Sequence, residues 1–121
     1  GYDVINATWN PLYVVNMTLD KLDPQDNGPE SIYAWNMYNF DKLTIDPTTK
    51  VIGAQICAWE EGGEIQTPAL RQRLPAMSER VWNPEAGKSW QDFSQRFAST
   101  DPVLSRLIKD IPVIAGENGE E

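Results

Sequence analysis

Between Val51 and Ala58 the chain carries an apolar or small side chain at every position except Gln55. A run that lacks polar alternation is typical of a strand covered on both faces, as in a parallel sheet. At its carboxyl end the run reaches Trp59 and then the carboxylates of Glu60 and Glu61. Because α/β enzymes place binding groups at the carboxyl ends of their strands, we expect a functional site there.

The N-terminal half alternates short apolar runs with strong breakers. The segment Tyr2–Trp9 predicts a first strand, which Asn10–Pro11 interrupts, and a short extended run follows at Leu12–Val15. Residues 20–30 hold two prolines, a glycine and four acidic residues, which is typical of a surface loop. The aromatic-rich segment 31–40 fits neither a helical nor a strand period, so a short helix and a packed loop both stay open.

A helix is predicted after the buried run. Thr67 suits its N-cap and Pro68 its first turn, whereas Asn83–Pro84 and Gly87 suit its end. The apolar residues that recur at helical spacing, and so define one face, are Leu70, Leu74, Met77 and Val81.

Two more helices are predicted beyond it. Ser89 and Asp92 resemble a capping box, and the apolar stripe that follows is Trp90, Phe93 and Phe97. Asp101 and Pro102 predict the start of a third helix, with apolar residues between positions 103 and 111. Residues 116–121 read as an acidic tail.

The predicted order is therefore strand, loop, strand and three helices. Two buried strands cannot form a sheet that supports itself, and the apolar helix faces need more sheet than this chain supplies. Either the fold is small and irregular, or the chain is the tail of a larger α/β protein. With 121 residues it is too short for a complete (β/α)8 barrel, which needs about 250.

Composition excludes several classes of function. The net charge of −8 argues against a nucleic-acid partner, which requires a basic face. The absence of histidine removes Ser-His-Asp and Cys-His catalysis and His-ligated metal sites, and no metal or cofactor is predicted. The single cysteine, Cys57, has no disulfide partner in the chain and is expected to be a small buried residue. No stretch approaches the roughly 18 apolar residues of a membrane span, so no membrane partner is expected.

Two spaced motifs resemble glycoside hydrolase family 20, the β-N-acetylhexosaminidases. The first runs from Gly53 to Glu61 and is similar to the pattern Gly-x-x-x-x-x-Trp-x-Glu that ends the last barrel strand of the family. The second lies within residues 70–82 and is similar to the pattern Arg-x-x-Ala-x-x-Glu-Arg-x-Trp of the helix that follows. The segment Val4–Val15 is similar to the penultimate strand segment, which ends in a functional tyrosine. Five tryptophans and four tyrosines in an acidic chain also suit sugar recognition.

The resemblance implies that residues 1–115 are the C-terminal portion of a (β/α)8 catalytic barrel, incomplete in this chain. Family members remove terminal N-acetylglucosamine or N-acetylgalactosamine from glycans with retention of configuration, through attack of the substrate's own acetamido oxygen on the anomeric carbon. An adjacent Asp-Glu pair on a central strand supplies the general acid/base and orients the acetamido group. No adjacent Asp-Glu pair occurs in this sequence. The isolated chain is therefore expected to be inactive. The resemblance implies two partners, the upstream remainder of the barrel and an N-acetylhexosamine-containing glycan. It also suggests an extracellular or bacterial cell-surface location.

The resemblance also implies roles for three residues. Trp59 would be a wall of the sugar pocket, Glu61 would accept hydrogen bonds from sugar hydroxyls, and Tyr13 would orient the acetamido group by donating its phenol hydrogen. Many family members have an aspartate two positions after this tyrosine. Here that position is Val15, so one hydroxyl contact is missing.

Simpler interpretations stay open beside these roles. Trp59 is also compatible with a core position and Glu61 with a solvated loop, and Trp9 is expected to be a packing residue. The aromatic residues that could line a sugar subsite are Tyr33, Trp35 and Tyr38, and the carboxylates that could hold a cation are Glu60, Glu61 and Glu64. The alternative at the level of the whole chain is a non-enzymatic carbohydrate-binding or interaction module.

Overall fold

The computed structural model describes residues 1–14, 27–59, 62–85 and 89–109. This part of the chain forms four strands and four helices. In chain order they are β1 (Asp3–Asn6), α1 (Trp9–Leu12), β2 (Tyr13–Val14), α2 (Pro29–Ala34), β3 (Lys50–Ala54), β4 (Cys57–Ala58), α3 (Gly63–Trp82) and α4 (Trp90–Lys109).

The strands form two parallel pairs, β1 with β3 and β2 with β4. The parallel pairing predicted for Val51–Ala58 is confirmed, but the single strand is wrong, because the run divides into β3 and β4 around Gln55. The backbone N–H of Gln55 donates to the Asn6 carbonyl at 2.9 Å, so the segments after β1 and β3 stay side by side across this gap. The predicted burial on both faces is also wrong, since Ile52 is 54% exposed.

The first predicted strand ends earlier than expected. β1 stops at Asn6, and Trp9–Leu12 forms a helical turn in which Asn10 has extended backbone angles. The predicted interruption at Asn10–Pro11 is confirmed, and that peptide bond is cis. The chain becomes extended again in β2, as the run after the proline predicts, although Leu12 belongs to α1 and Val15 lies outside the described residues.

The aromatic-rich segment contains both structures that its sequence left open. Pro29 begins α2, a position where a missing N–H costs nothing, and the helix ends at Ala34. Trp35 and Met37 follow as a packed turn and are nearly fully buried. Residues 20–26 of the predicted surface loop lie outside the described residues.

The start of α3 differs from the prediction. The helix begins at Gly63, and the N–H of Gln66 donates to the Gly62 carbonyl at 3.0 Å, so Thr67 and Pro68 lie inside the helix. Glu64 in the first turn is favourable because a negative charge complements the positive helix end. The predicted end is confirmed, since α3 stops at Trp82.

The predicted apolar face of α3 is confirmed in part. Met77 and Val81 pack against the core as expected, whereas Leu74 is 45% exposed. Ala76, which was not predicted, is fully buried and packs with Ala69 against the first core cluster.

A single helix, α4, replaces the two predicted from Ser89 onwards. Half of the predicted capping box forms, because Ser89 Oγ accepts from the Asp92 N–H at 3.1 Å whereas the Asp92 carboxylate binds Arg96 instead. The helix continues through Pro102. Arg71 of α3 stabilises this section. Its guanidinium donates to the Asp101 carboxylate at 2.8 Å, just before the proline, and to the Ser105 hydroxyl, three positions after it.

The core consists of two adjoining clusters. The first joins β2 to all three longer helices and contains Val14, Ile32, Tyr33, Ala76 and Phe93. The second lies beneath β3 and contains Leu12, Trp35 and Met37. The described part of the chain is thus mixed α/β, and its place in a (β/α)8 barrel stays a prediction. Within these residues, none of the helices combines the length and apolar character needed to cross a membrane.

A polar network ties the three longer helices together. The guanidinium of Arg96 donates to both carboxylate oxygens of Glu79 at 2.7 Å, and the Tyr33 hydroxyl donates to the same carboxylate. The hydrogen bonds of Arg96 to Glu79, and to Asp92 in its own helix, raise the pKa of the Arg96 guanidinium above its ordinary value. Glu79 therefore has a structural role, as a bridge between α2, α3 and α4.

Candidate functional site

The site expected from the sequence lies where β2 and β4 end. These strands are parallel and adjacent, with Tyr13 opposite Cys57 and Val14 opposite Ala58. Trp59 comes directly after β4. Because parallel strands end on the same edge, Tyr13 and Trp59 are brought together although 46 positions separate them in the chain.

The two predicted aromatic residues are in contact. The ring centroids of Tyr13 and Trp59 are 5.8 Å apart, and the planes meet at 77°, so the edge of one ring faces the other. This geometry is a favourable arrangement for an aromatic pair. Trp59 is nevertheless 61% exposed, which is incompatible with a core role and leaves much of its indole accessible to a ligand.

An open cleft of about 320 Å³ surrounds this pair. The residues that line it are Ala7, Trp9, Tyr13, Cys57 and Trp59. Of these residues, all from the described part of the chain, three are aromatic and none carries a charge, so they offer flat apolar surfaces. Such surfaces suit the C–H faces of a sugar or another flat, weakly polar ligand.

Trp9 is the residue that sequence reasoning missed. It was expected to pack in the core, but its side chain is 54% exposed and its ring lies 6.4 Å from that of Tyr13, with the planes tilted by 35°. One sequence signal points to this position: Trp9 directly precedes the Asn10–Pro11 break at the end of a predicted strand. A large aromatic residue at such an end reaches the strand edge rather than the core.

Side chains that donate to backbone carbonyls connect both strand ends to α3. Gln66 donates its side-chain amide to the Ala58 carbonyl at 3.1 Å, next to Trp59. On the other strand, Asn27 donates to the Tyr13 carbonyl at 3.0 Å, and Arg73 of α3 donates to the Asn27 carbonyl at 2.8 Å. Burial lowers the pKa of the Arg73 guanidinium. Both strand ends that carry the cleft are therefore connected to α3, directly at Ala58 and by way of Asn27 at Tyr13.

The remaining predicted residues divide into three groups. Glu61 and Glu60 lie outside the described residues. Tyr33 and Trp35 belong to the core, at 3% and 6% exposure, and Tyr38 is exposed but does not line the cleft. These positions argue against the suggested subsite at Tyr33 and Trp35, because their rings are not accessible.

Cys57 lines the cleft, and two carboxylates of the candidate cation site, Glu60 and Glu61, lie outside the described residues. Cys57 is a free thiol that is only partly buried and lines the cleft, whereas a buried position was expected. Its sulfur lies 3.8 Å from the side-chain amide of Gln55. Among the residues that the structure describes, no group of three or more potential metal ligands of the His, Cys, Asp or Glu type is found.

No protein-family model, no curated protein and no solved structure matches the chain. The assignment of a function must therefore come from the cleft itself and from the motifs in the sequence.

Proposed function

We propose that this chain is the C-terminal part of the catalytic barrel of a family 20 β-N-acetylhexosaminidase, an enzyme that removes terminal N-acetylglucosamine or N-acetylgalactosamine from glycans. The observation that carries the proposal is the contact between Tyr13 and Trp59 in one open cleft at the ends of adjacent parallel strands. Both residues were selected from sequence motifs far apart in the chain, and a chance resemblance would not require them to meet.

In the proposed mechanism the substrate supplies its own nucleophile. The acetamido oxygen attacks the anomeric carbon as the bond to the leaving group breaks, and water later opens the oxazolinium intermediate with retention. Tyr13 donates its phenol hydrogen to the acetamido oxygen and so holds it in the attacking position. Trp59 forms a wall beside the sugar ring, and Glu61 accepts hydrogen bonds from ring hydroxyls. The general acid is a carboxyl group from the rest of the barrel.

Uncovered apolar residues on the sheet support the idea that more of the barrel packs against this chain. Ile5 of β1 and Ile52 of β3 are 56% and 54% exposed, although parallel sheets are normally covered on both faces. Two-stranded sheets are also rarely stable by themselves. On α3 and α4, Leu70, Leu74 and Leu104 line an apolar groove, and Leu74 is 45% exposed. Additional strands and helices would cover these surfaces.

A second candidate function is a carbohydrate-binding module without catalysis. It is favoured by the exposed aromatic platform of Trp9, Tyr13 and Trp59, which could bind sugar without any general acid. The two candidates share a ligand class and differ only in whether the glycosidic bond is broken.

Hydrolysis by the full natural gene product tests the proposal. We expect it to cleave 4-nitrophenyl N-acetyl-β-glucosaminide and its N-acetylgalactosamine counterpart, whereas residues 1–121 alone should not. Tyr13→Phe should lower kcat by about 100-fold, because the acetamido oxygen is then no longer held in the attacking position. Trp59→Ala should lower kcat/KM at least tenfold, which corresponds to about 1.4 kcal/mol of lost transition-state binding.

A matched control lies away from the cleft. Tyr2→Phe removes only a hydroxyl from a side chain that is 86% exposed in this chain and does not line the cleft, so this variant should retain wild-type rates. A gene product that binds N-acetylglucosamine in calorimetry yet cleaves neither substrate would support the binding module instead. Equal losses in the control and cleft variants would exclude a specific role for Tyr13 and Trp59.

A further inference from the structure

We infer that Trp9 is a second sugar-stacking surface, so that the cleft accepts two consecutive sugar rings and is specific for oligosaccharides over simple glycosides. The inference rests on the proposed function and extends it from the terminal sugar to the leaving group. In this arrangement Tyr13 and Trp59 hold the terminal N-acetylhexosamine, and Trp9 supports the ring that departs.

Trp9 lines the cleft together with Tyr13 and Trp59, which distinguishes its exposed side chain from the uncovered apolar residues of the sheet. Its neighbours in α1, Pro11 and Leu12, are buried, whereas the Trp9 side chain is 54% exposed. Trp9 belongs to neither of the two core clusters within the described residues. A tryptophan in this position exposes a large apolar face to water, and covering that face by a ligand is favourable.

Trp9 lies next to the residues that would hold the terminal sugar. The Trp9 and Tyr13 rings are tilted by 35° with centroids 6.4 Å apart, whereas the Tyr13 and Trp59 rings are nearly perpendicular at 5.8 Å. All three rings line the same open cleft of about 320 Å³. A glycan whose terminal sugar lies against Tyr13 and Trp59 therefore has the face of Trp9 within the same cleft for its next ring.

Local hydrogen bonds fix Trp9 relative to Tyr13. The backbone N–H of Tyr13 donates to the Trp9 carbonyl, which closes the turn of α1. Before the turn, the N–H of Thr8 donates to the side chain of Asn6, which is itself fully buried, at 3.0 Å. A preorganised aromatic surface loses little conformational entropy when a ligand binds, which suits a subsite.

A comparison of two substrates isolates the contribution of Trp9. The full natural gene product is assayed with methyl N-acetyl-β-glucosaminide, whose leaving group is too small to reach Trp9, and with N,N′-diacetylchitobiose, whose leaving group is a second sugar. We expect Trp9→Ala to lower kcat/KM for the disaccharide about tenfold, the order of one lost stacking contact, and to change that for the methyl glycoside less than twofold. Trp9→Phe should retain part of the disaccharide rate, and Tyr2→Phe should retain all of it.

Two results would overturn the inference. Equal losses on both substrates would show that Trp9 only maintains the fold, and unchanged rates on both would show that it does not contact the leaving group. If the wild-type protein cleaves neither compound, the proposed hydrolase function fails separately. The inference is then decided by calorimetry, in which wild-type protein must bind the disaccharide more tightly than N-acetylglucosamine and Trp9→Ala must remove that preference.

Discussion

The hydroxyl of Tyr33 donates a hydrogen bond to the carboxylate of Glu79 across 3.0 Å, and this contact joins α2 to α3 within the core. Tyr33 is 3% exposed. Burial raises the pKa of its phenol above 10.0, and the hydrogen bond to Glu79 and the negative charge of that carboxylate raise it further, against smaller opposing effects of Arg96 and Arg80. The protonated form of Tyr33 is therefore part of the folded structure.

A stability that declines at high pH is the first prediction. Above about pH 10 an unfolded tyrosine loses its proton whereas folded Tyr33 retains it, so the folded state binds more protons and its stability falls as pH rises. The contribution of Tyr33 is complete below pH 10 and is lost as pH rises through its raised folded pKa. We expect Tyr33→Phe to reduce the free energy of unfolding by about 1–2 kcal/mol at pH 7.

Urea titrations at about pH 7, 9 and 11 test this prediction. The measured quantity is the difference in the free energy of unfolding between wild type and Tyr33→Phe, in which the effects of the other titrating groups cancel. The difference should shrink between pH 9 and 11. Tyr38→Phe is the matched control, since Tyr38 is 53% exposed, and it should follow the wild-type curve. A difference that is constant with pH would contradict the raised pKa.

The second prediction concerns Asn6, which is fully buried at the end of β1. Its side-chain amide donates to the carbonyls of Met37 and Asn39 at 2.9 and 2.8 Å, and its oxygen accepts from the Thr8 N–H. Asn6→Asp would place a carboxylate against two carbonyl oxygens. We expect a loss of at least about 3 kcal/mol at pH 7, and a smaller loss at acid pH, where the protonated carboxyl can donate to one carbonyl.

Chemical denaturation at two pH values measures this effect. Asn39→Asp makes the same substitution at an exposed position whose side-chain oxygen already acts as an acceptor, and it should change the free energy of unfolding by less than about 0.5 kcal/mol. Asn6→Asp variants that are as stable as Asn39→Asp would show that the buried amide does not hold the turn after α2.

The third prediction concerns the uncovered sheet. If Ile5 and Ile52 form a surface that other barrel elements normally cover, residues 1–121 alone should self-associate as concentration rises. Threonine keeps the β-branched shape that strands prefer while adding a hydroxyl. The double variant Ile5→Thr/Ile52→Thr should therefore remain folded and be more monomeric.

Sedimentation velocity at two concentrations, about tenfold apart, measures the association. Leu43→Thr is the control, because Leu43 is 71% exposed but lies outside the strands, where its N–H closes a turn on the Phe40 carbonyl, and the variant should associate like wild type. A wild-type chain that stays monomeric at both concentrations would favour the small self-contained module over the barrel fragment.

Much of α4 and part of the site could be predicted from the sequence. The aromatic stripe Trp90, Phe93 and Phe97 is a helical pattern in the sequence, and the three rings lie against one another in the structure. Trp59 was found because it follows an apolar run, which local patterning identifies. Trp9 was missed because its exposure depends on where the chain turns after β1.

Local chemistry by itself determined where several elements begin and end. The stop after Trp82, the Ser89 cap and the interruption at Asn10–Pro11 each depend on backbone preferences of a few consecutive residues, which a sequence contains in full. Tertiary contacts decided the rest. The helices continue through Pro68 and Pro102, and Arg71 stabilises the second of these sections from another helix. Tyr13 meets Trp59 only because two distant strands pair in parallel register, and such pairing is set by the packing of the whole core rather than by either segment.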